Sequence, residues 1–176
     1  MLVNIGRRSA PEAQDLVGLL LECHERIRRF TSIAQRVAER RDLPDPEVID
    51  ACERVDRYFR QALPLHVEDE EQSLLPRIRG VQADLDRALA TLQAQHASQE
   101  PLIEALLAAL TSVRTAPGDA GARDALASIA GRLAAEFEAH LKLEETVVFP
   151  YVRRDLPAEA QAQIVAELRA RRHATL

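Results

Sequence analysis

Four of the chain's five histidines stand on helical stripes that are otherwise apolar. Positions 17, 20, 24, 27, 31 and 34 read Val, Leu, His, Ile, Thr, Ala, and positions 55, 59, 63, 66, 70 and 74 read Val, Phe, Leu, His, Glu, Leu. Positions 85, 89, 92, 96 and 103 read Leu, Leu, Leu, His, Ile, and positions 126, 130, 133, 137, 140, 144 and 148 read Leu, Ala, Leu, Phe, His, Glu, Val. Each stripe thus carries one of His24, His66, His96 and His140, and two of them add Glu70 and Glu144 four residues after the His. Side chains at i and i+4 share a helix face. Imidazole and carboxylate taken out of water are costly unless they are paired or hold a cation. Four imidazoles and two carboxylates meeting in one core suffice for two metal ions bridged by Glu70 and Glu144. Imidazole suits iron, zinc, copper and nickel, and bridging carboxylates favour a pair of hard-to-borderline ions.

The pattern occurs twice. His66-Val-Glu-Asp-Glu-Glu-Gln-Ser-Leu-Leu-Pro76 and His140-Leu-Lys-Leu-Glu-Glu-Thr-Val-Val-Phe-Pro150 both read H-x-x-x-E-E-x-x-x-[LF]-P, 74 positions apart. His24 and His96 precede the two matched histidines by 42 and 44 residues. Each half is therefore a helix with one His followed by a helix with H-x-x-x-E, which implies pseudo-two-fold symmetry about a shared centre. Glu68, Asp69, Glu71 and Glu145 fall off the stripes and read as a solvated face, the other reading being that one of them supports a ligand from behind. His173, among arginines in the last helical turn, reads as exposed, and Cys23 as a small packing residue.

The elements that must position these residues are long helices. Ala, Leu, Glu, Arg and Gln dominate and breakers are few. Ser9-Ala10-Pro11-Glu12 has capping-box spacing, and predicts a first helix over about 11–41. Asp45 as cap with Pro46 after it predicts a second helix over about 45–79, stopped by Gly80. A third spans about 81–113 and a fourth about 122–149; Pro150 and Pro157 then bracket a connection to a terminal helix over about 157–172. Pro64 and Pro101 lie within the second and third helices, where each removes a backbone donor and predicts a kink or break. Short loops between four long helices give an all-α, up-down-up-down four-helix bundle with an additional C-terminal helix, in one domain over 1–176. Ile164, Val165 and Leu168 predict that the extra helix packs on the bundle or on a second subunit.

Composition closes off other classes. The chain has 176 residues, 47% hydrophobic and 29% charged, enough to bury a core. A net charge of −5 and 3% aromatic residues argue against nucleic acid as partner. No apolar run approaches a membrane span. The N-terminal MLVNIGRRSAPEAQDLV has charges where a secretory leader needs an apolar stretch, and two Cys without a C-x-x-C pattern suit a reducing compartment. The expected location is cytoplasmic. Ferritin-like bundles place Glu three residues before the metal-binding His; here those positions are Leu21, Leu63, Gln93 and Phe137. Cys-rich structural zinc spacing is absent as well.

The combined pattern, His24, His66-x-x-x-Glu70, His96 and His140-x-x-x-Glu144 with Pro76 and Pro150 following, resembles the hemerythrin-like (HHE cation-binding) family over about residues 11–150. The resemblance implies a bundle around two non-haem iron ions with carboxylate and oxo or hydroxo bridges. Carried over by position, His24 and His66 would bind one iron, His96 and His140 the other, and Glu70 and Glu144 would bridge them. Oxygen-carrying members have a further His one turn after the one on the third helix; here Glu100 stands there. Glu100 is either an additional carboxylate ligand, which would lower the redox potential and put reversible O2 carriage in doubt, or a solvent-facing Glu beside Pro101. Bacterial members with the H…HxxxE…H…HxxxE arrangement look like closer relatives. Some of these involve a Tyr, which makes Tyr58, two turns before His66, a candidate to stand behind the ligands or wall the pocket.

Three functions follow as expectations. The first is a di-iron protein that binds or reacts with O2, peroxide or nitric oxide, as sensor, scavenger or carrier. The second is an iron or metal buffer, or a bundle that signals metal status to a protein partner, without redox function; a homodimer or a protein partner is the association expected of the chain under any of the readings. The third is a peroxide- or NO-consuming oxidoreductase, ranked last because no acid–base pair or electron-donor site is readable.

Overall fold

The computed structural model describes residues 15–174. The capping box at Ser9–Glu12 lies outside them. Among the described residues, α1 (Leu16–Glu39) starts at Asp15, whose carboxylate accepts from the Gly18 amide. Four further helices follow: α2 over residues 45–78, α3 (Ala83–Thr115), α4 over residues 120–155 and α5 (Ala158–Ala174). No strand occurs among the described residues.

The first four helices form the expected bundle: α1 and α3 each pack against both α2 and α4. The connections are short, and Gly80 ends α2 with φ +79°, which only glycine adopts without strain. Helix α2 differs in its cap. Pro44 occupies the cap position and makes no side-chain bond, while Asp45 and Glu47 lie in the first turn, where the helix dipole favours negative charge. Asp119 caps α4 through the Ala122 amide.

The prolines do not break the helices as expected. Helix α2 widens into π-helical turns at Tyr58–Ala62 and Asp69–Leu74, and α4 does so at Glu144–Val148. The amides of Leu63, Leu75 and Phe149 close these turns by donating to the carbonyls five residues back, on Tyr58, Glu70 and Glu144. Pro64, Pro76 and Pro150 each come next. A wide turn leaves one carbonyl without an amide, and proline is the residue with no amide to give. The helix therefore continues through each proline; α4 runs past Pro150 to Asp155, where the sequence predicted a connection. At Pro101, α3 runs on unbroken. Ala97 and Pro101 are both exposed, so the carbonyl that loses its donor faces water.

The core is two apolar clusters. One joins Ile27 and Val37 to Phe59, Leu106, Leu133 and Phe137; the other joins Leu16 and Leu20 to Leu75, Leu89, Phe149 and Leu168. On every bundle helix the histidine falls between the two clusters or at their border, so a polar layer crosses the molecule. Helix α5 folds back on the second cluster with Ile164 and Leu168 buried, which settles its packing within the chain.

Candidate metal centre

The six stripe residues meet in that layer. His24, His66, His96, His140, Glu70 and Glu144 are all buried, and His96, at 8% exposure, is the most accessible. His24 Nε2 lies 3.0 Å from Glu144 Oε2, and His66 Nε2 lies 3.0 Å from Glu70 Oε1. His96 Nε2 is 3.3 Å from Glu70 Oε2, and His140 Nε2 is 3.6 Å from Glu144 Oε2. Each carboxylate therefore stands between two imidazoles from different helices. The potential ligand atoms of His24, His66, Glu70 and Glu144 all lie within 4.8 Å of one another, and so do those of Glu70, His96 and His140. Glu70 belongs to both groups.

Closeness here is not hydrogen bonding. The Nε2 atoms of His24 and His66 and all four oxygens of Glu70 and Glu144 are buried without an aligned partner. Six unmet polar atoms in one layer would each cost about 1–3 kcal/mol. Lone pairs that converge on a common space and miss one another are the arrangement a cation needs.

The outer ring nitrogens are held from behind. Glu145 Oε1 accepts from His24 Nδ1 at 2.9 Å, Glu71 Oε1 from His96 Nδ1 at 2.9 Å, and Gln95 Oε1 from His140 Nδ1 at 3.1 Å. An oxygen acceptor there puts the proton on Nδ1 and leaves the inward Nε2 lone pair free for a metal. Arg28 secures Glu145, donating to it at 2.9 Å and to Glu138 at 3.0 Å. His66 is the exception: its Nδ1 is buried without a hydrogen-bond partner, and the Cys23 thiol acts on it only as an influence that raises the imidazole's pKa.

The reading of the neighbouring acids as a solvated face holds for exposure at Glu68 and Glu71 and fails at Asp69, while Glu71 and the half-buried Glu145 each also bond a histidine. Glu68 is exposed, as expected. Glu71 and Glu145 orient the two lone histidines, and Asp69 is fully buried against α5. The signal for Glu71 and Glu145 was present: the repeat conserves the second glutamate of each E-E pair internally, and an exposed ion pair needs no such repetition. Gln95 carried no comparable signal.

Glu100 stands exposed one turn beyond His96, outside both groups of approaching ligand atoms. It lines a cleft of about 490 Å³ with His96, Gln99, Glu68, Glu104 and Phe59. Gln99, missed in the sequence, is 3% exposed with an unpartnered Nε2. The ring of Tyr58 stacks on Phe30 at 4.2 Å and meets Phe59 edge-on at 5.4 Å, so its ring partners are core residues and not the histidines.

Electrostatics point the same way. Burial and the Glu70 charge push the Glu144 carboxyl up to about 7. Burial would raise Glu70 too, but His66 and His96 outweigh it and hold Glu70 well below the usual range. Burial would lower His66, yet Glu70 and Cys23 keep it well above its ordinary value. Burial carries His140 down to about 4. The two buried carboxylates thus disfavour one another's charge, and the imidazoles beside Glu70 settle which of them ionises first.

The sequence matches the family described as hemerythrin HHE cation binding domain over residues 15–123 and again over 87–175. The chain belongs to this family. The two matches to the hemerythrin HHE family start 72 positions apart, the spacing of His24 and His96, so the second match follows the internal repeat. The family's cation-binding description agrees with the buried His and Glu cluster. No curated protein matches the chain. No helix among the described residues is long and apolar enough to cross a membrane.

Proposed function

We propose that this hemerythrin-family chain holds two non-haem iron ions and binds or reacts with O2, peroxide or nitric oxide, as a sensor, scavenger or carrier. The observation that carries this reading is the layer of inward Nε2 atoms and two carboxylates with no aligned hydrogen bonds among them. His24 and His66 would hold one ion, His96 and His140 the other, with Glu70 and Glu144 shared. Their spacing supports sharing, since each carboxylate approaches one histidine of either pair. Bound iron would supply redox chemistry with a diatomic or peroxide ligand.

The chain's own residues do the rest. Glu145, Glu71 and Gln95 orient three imidazoles and fix the tautomer that presents Nε2. The clusters above and below exclude water. His96, the most accessible of the six, faces the cleft by which a small molecule would arrive. Glu68, Glu71, Glu100 and Glu104 give the mouth of that cleft a negative charge, which an uncharged diatomic or peroxide passes more readily than an anion does.

The test is elemental analysis of freshly purified protein, with absorption spectra before and after anaerobic reduction and on adding O2 or NO. About two irons per chain and a spectrum that responds to these gases are expected. Zinc alone, or iron without any response to gas or peroxide, would leave a metal-buffering bundle.

A further inference from the structure

A second polar cluster lies behind the metal centre, where α5 meets the wide turn Asp69–Leu74 of α2. Asp69 is fully buried immediately before Glu70. Arg171 Nη1 donates to its Oδ1 at 2.7 Å and Arg172 Nη2 to its Oδ2 at 2.7 Å, so each carboxylate oxygen takes one guanidinium. Arg171 also donates to Ser73 Oγ at 2.6 Å, and Ser73 donates to Glu167 at 2.5 Å. Arg77, one turn on, donates to Glu167 at 2.6 Å. Three residues of α5 thus grip Asp69 and Ser73, the two positions that bracket Glu70. Arg172 reaches Cys23 Sγ at 3.9 Å as well.

The repeat shows that this grip is not a requirement of the fold. The counterparts of Asp69 and Ser73, 74 positions on, are Leu143 and Val147. The turn that carries Glu144 therefore lacks these polar handles. Among the described residues, only one of the two shared carboxylates is tied to α5 in this way, through a fully buried Asp69 and two half-buried arginines. Wide helical turns have poorer hydrogen-bond geometry than α-helix, and Glu70 has no hydrogen bond of its own to hold it. Its placement falls to its neighbours.

We infer that Arg171 and Arg172 are positioning residues for the metal centre. Through Asp69 they fix the turn that aims Glu70, so docking of the α5 end and metal binding are coupled. The inference rests on the reading of Glu70 as a metal ligand. Coupling of this kind is reciprocal: the factor by which undocking weakens the metal is the factor by which the metal tightens docking.

The test uses the full chain and ferrous iron, titrated anaerobically against a chromogenic chelator. R171Q/R172Q, shown folded by circular dichroism, is expected to bind iron about tenfold more weakly and to show a shifted absorption spectrum when oxidised. In the unaltered chain, iron is expected to slow amide exchange in the last two turns of α5 by a similar factor, under conditions where the α3 core exchanges too slowly to register. Parent affinity and spectrum in the folded variant would overturn the coupling and leave a contact that serves stability alone. Should the variant fail to fold, α5 exchange in the unaltered chain decides: equal rates with and without iron overturn the inference. An unaltered chain that takes up no iron removes the metal reading itself, and this shows before any variant is made.

Discussion

Glu71, in the first half of the repeat, accepts its hydrogen bond from His96 in the second, at 2.9 Å from Nδ1. Its counterpart Glu145, in the second half, holds His24 in the first at the same distance. The two halves thus orient each other's lone histidine. The H-x-x-x-E-E pattern supplies a candidate ligand with its first Glu and a support for the opposite half with its second.

The exchanged contacts give the first prediction. Glu71→Ala and Glu145→Ala should each weaken metal binding by about 10–100-fold, because the imidazole loses both its orientation and an acceptor that makes Nε2 a better donor. Glu71→Gln and Glu145→Gln keep an acceptor oxygen and should lose less. Competition with a chelator measures both, and parent affinity in the Ala variants would reduce the pair to surface contacts.

For the ligands themselves the effect should fall on stoichiometry. His24→Ala, His140→Ala and Glu144→Ala each remove a donor from the buried layer and should bring metal content below two per chain. Elemental analysis after loading checks this. Full loading in all three would sink the assignment.

Glu144→Gln separates the metal-free from the loaded protein. Without metal, burial and Glu70 disfavour the Glu144 carboxylate. Glutamine removes that charge and should stabilise the metal-free protein at pH 8 by about 1–3 kcal/mol. In the loaded protein the same change removes a shared ligand and should destabilise. Denaturant unfolding with and without metal reads both signs, and the same sign in both states would contradict the ligand role.

Glu100 offers a test with the opposite expectation. It is exposed and stands outside the two ligand groups, so Glu100→Ala should leave metal content and the absorption spectrum unchanged. A shifted spectrum at full loading would show that metal draws Glu100 in as a ligand.

The four stripes and the two-fold pattern were legible because burial of a helix face follows a fixed period, and His on such a face is conspicuous. All of the stripe residues quoted for α1, α2 and α4 are buried in the structure. In α3, Ile103 is only half-buried, and Gln99 and Leu106 take the inward positions instead. The wide turns were not legible, since a residue inserted into a helical turn leaves the composition unchanged; the sign left was a proline that would otherwise have broken the helix. Asp69 was misplaced for a related reason. Its burial depends on α5, and no local period shows where a later helix will dock. The arginines at the end of α5 were visible, but their partner was not.

The last prediction concerns pH. In the metal-free fold Glu144 is raised to about 7, and His66 and His96 are raised as well, burial working against both histidines but Glu70 outweighing it. A group whose pKa is raised on folding gives stability that is present below its unfolded value and is lost as pH rises through the folded one. These three therefore weaken the metal-free protein as pH climbs from about 5 to 8. Two groups act the other way: Glu70 is held low by His66 and His96 against its burial, and His140 is carried down to about 4 by burial, so their contributions are lost on acidification. Metal binding requires neutral imidazoles and ionised carboxylates, so it strengthens over the range in which the first three groups lose their contribution. The gap in melting temperature between loaded and metal-free protein should therefore widen steadily from pH 5 to 8 and close toward pH 4, with metal released. Thermal melts across that range, with metal content assayed at each pH, check the sign; a gap that narrows as pH rises would mean that the buried histidines and glutamates are not the groups the metal displaces protons from.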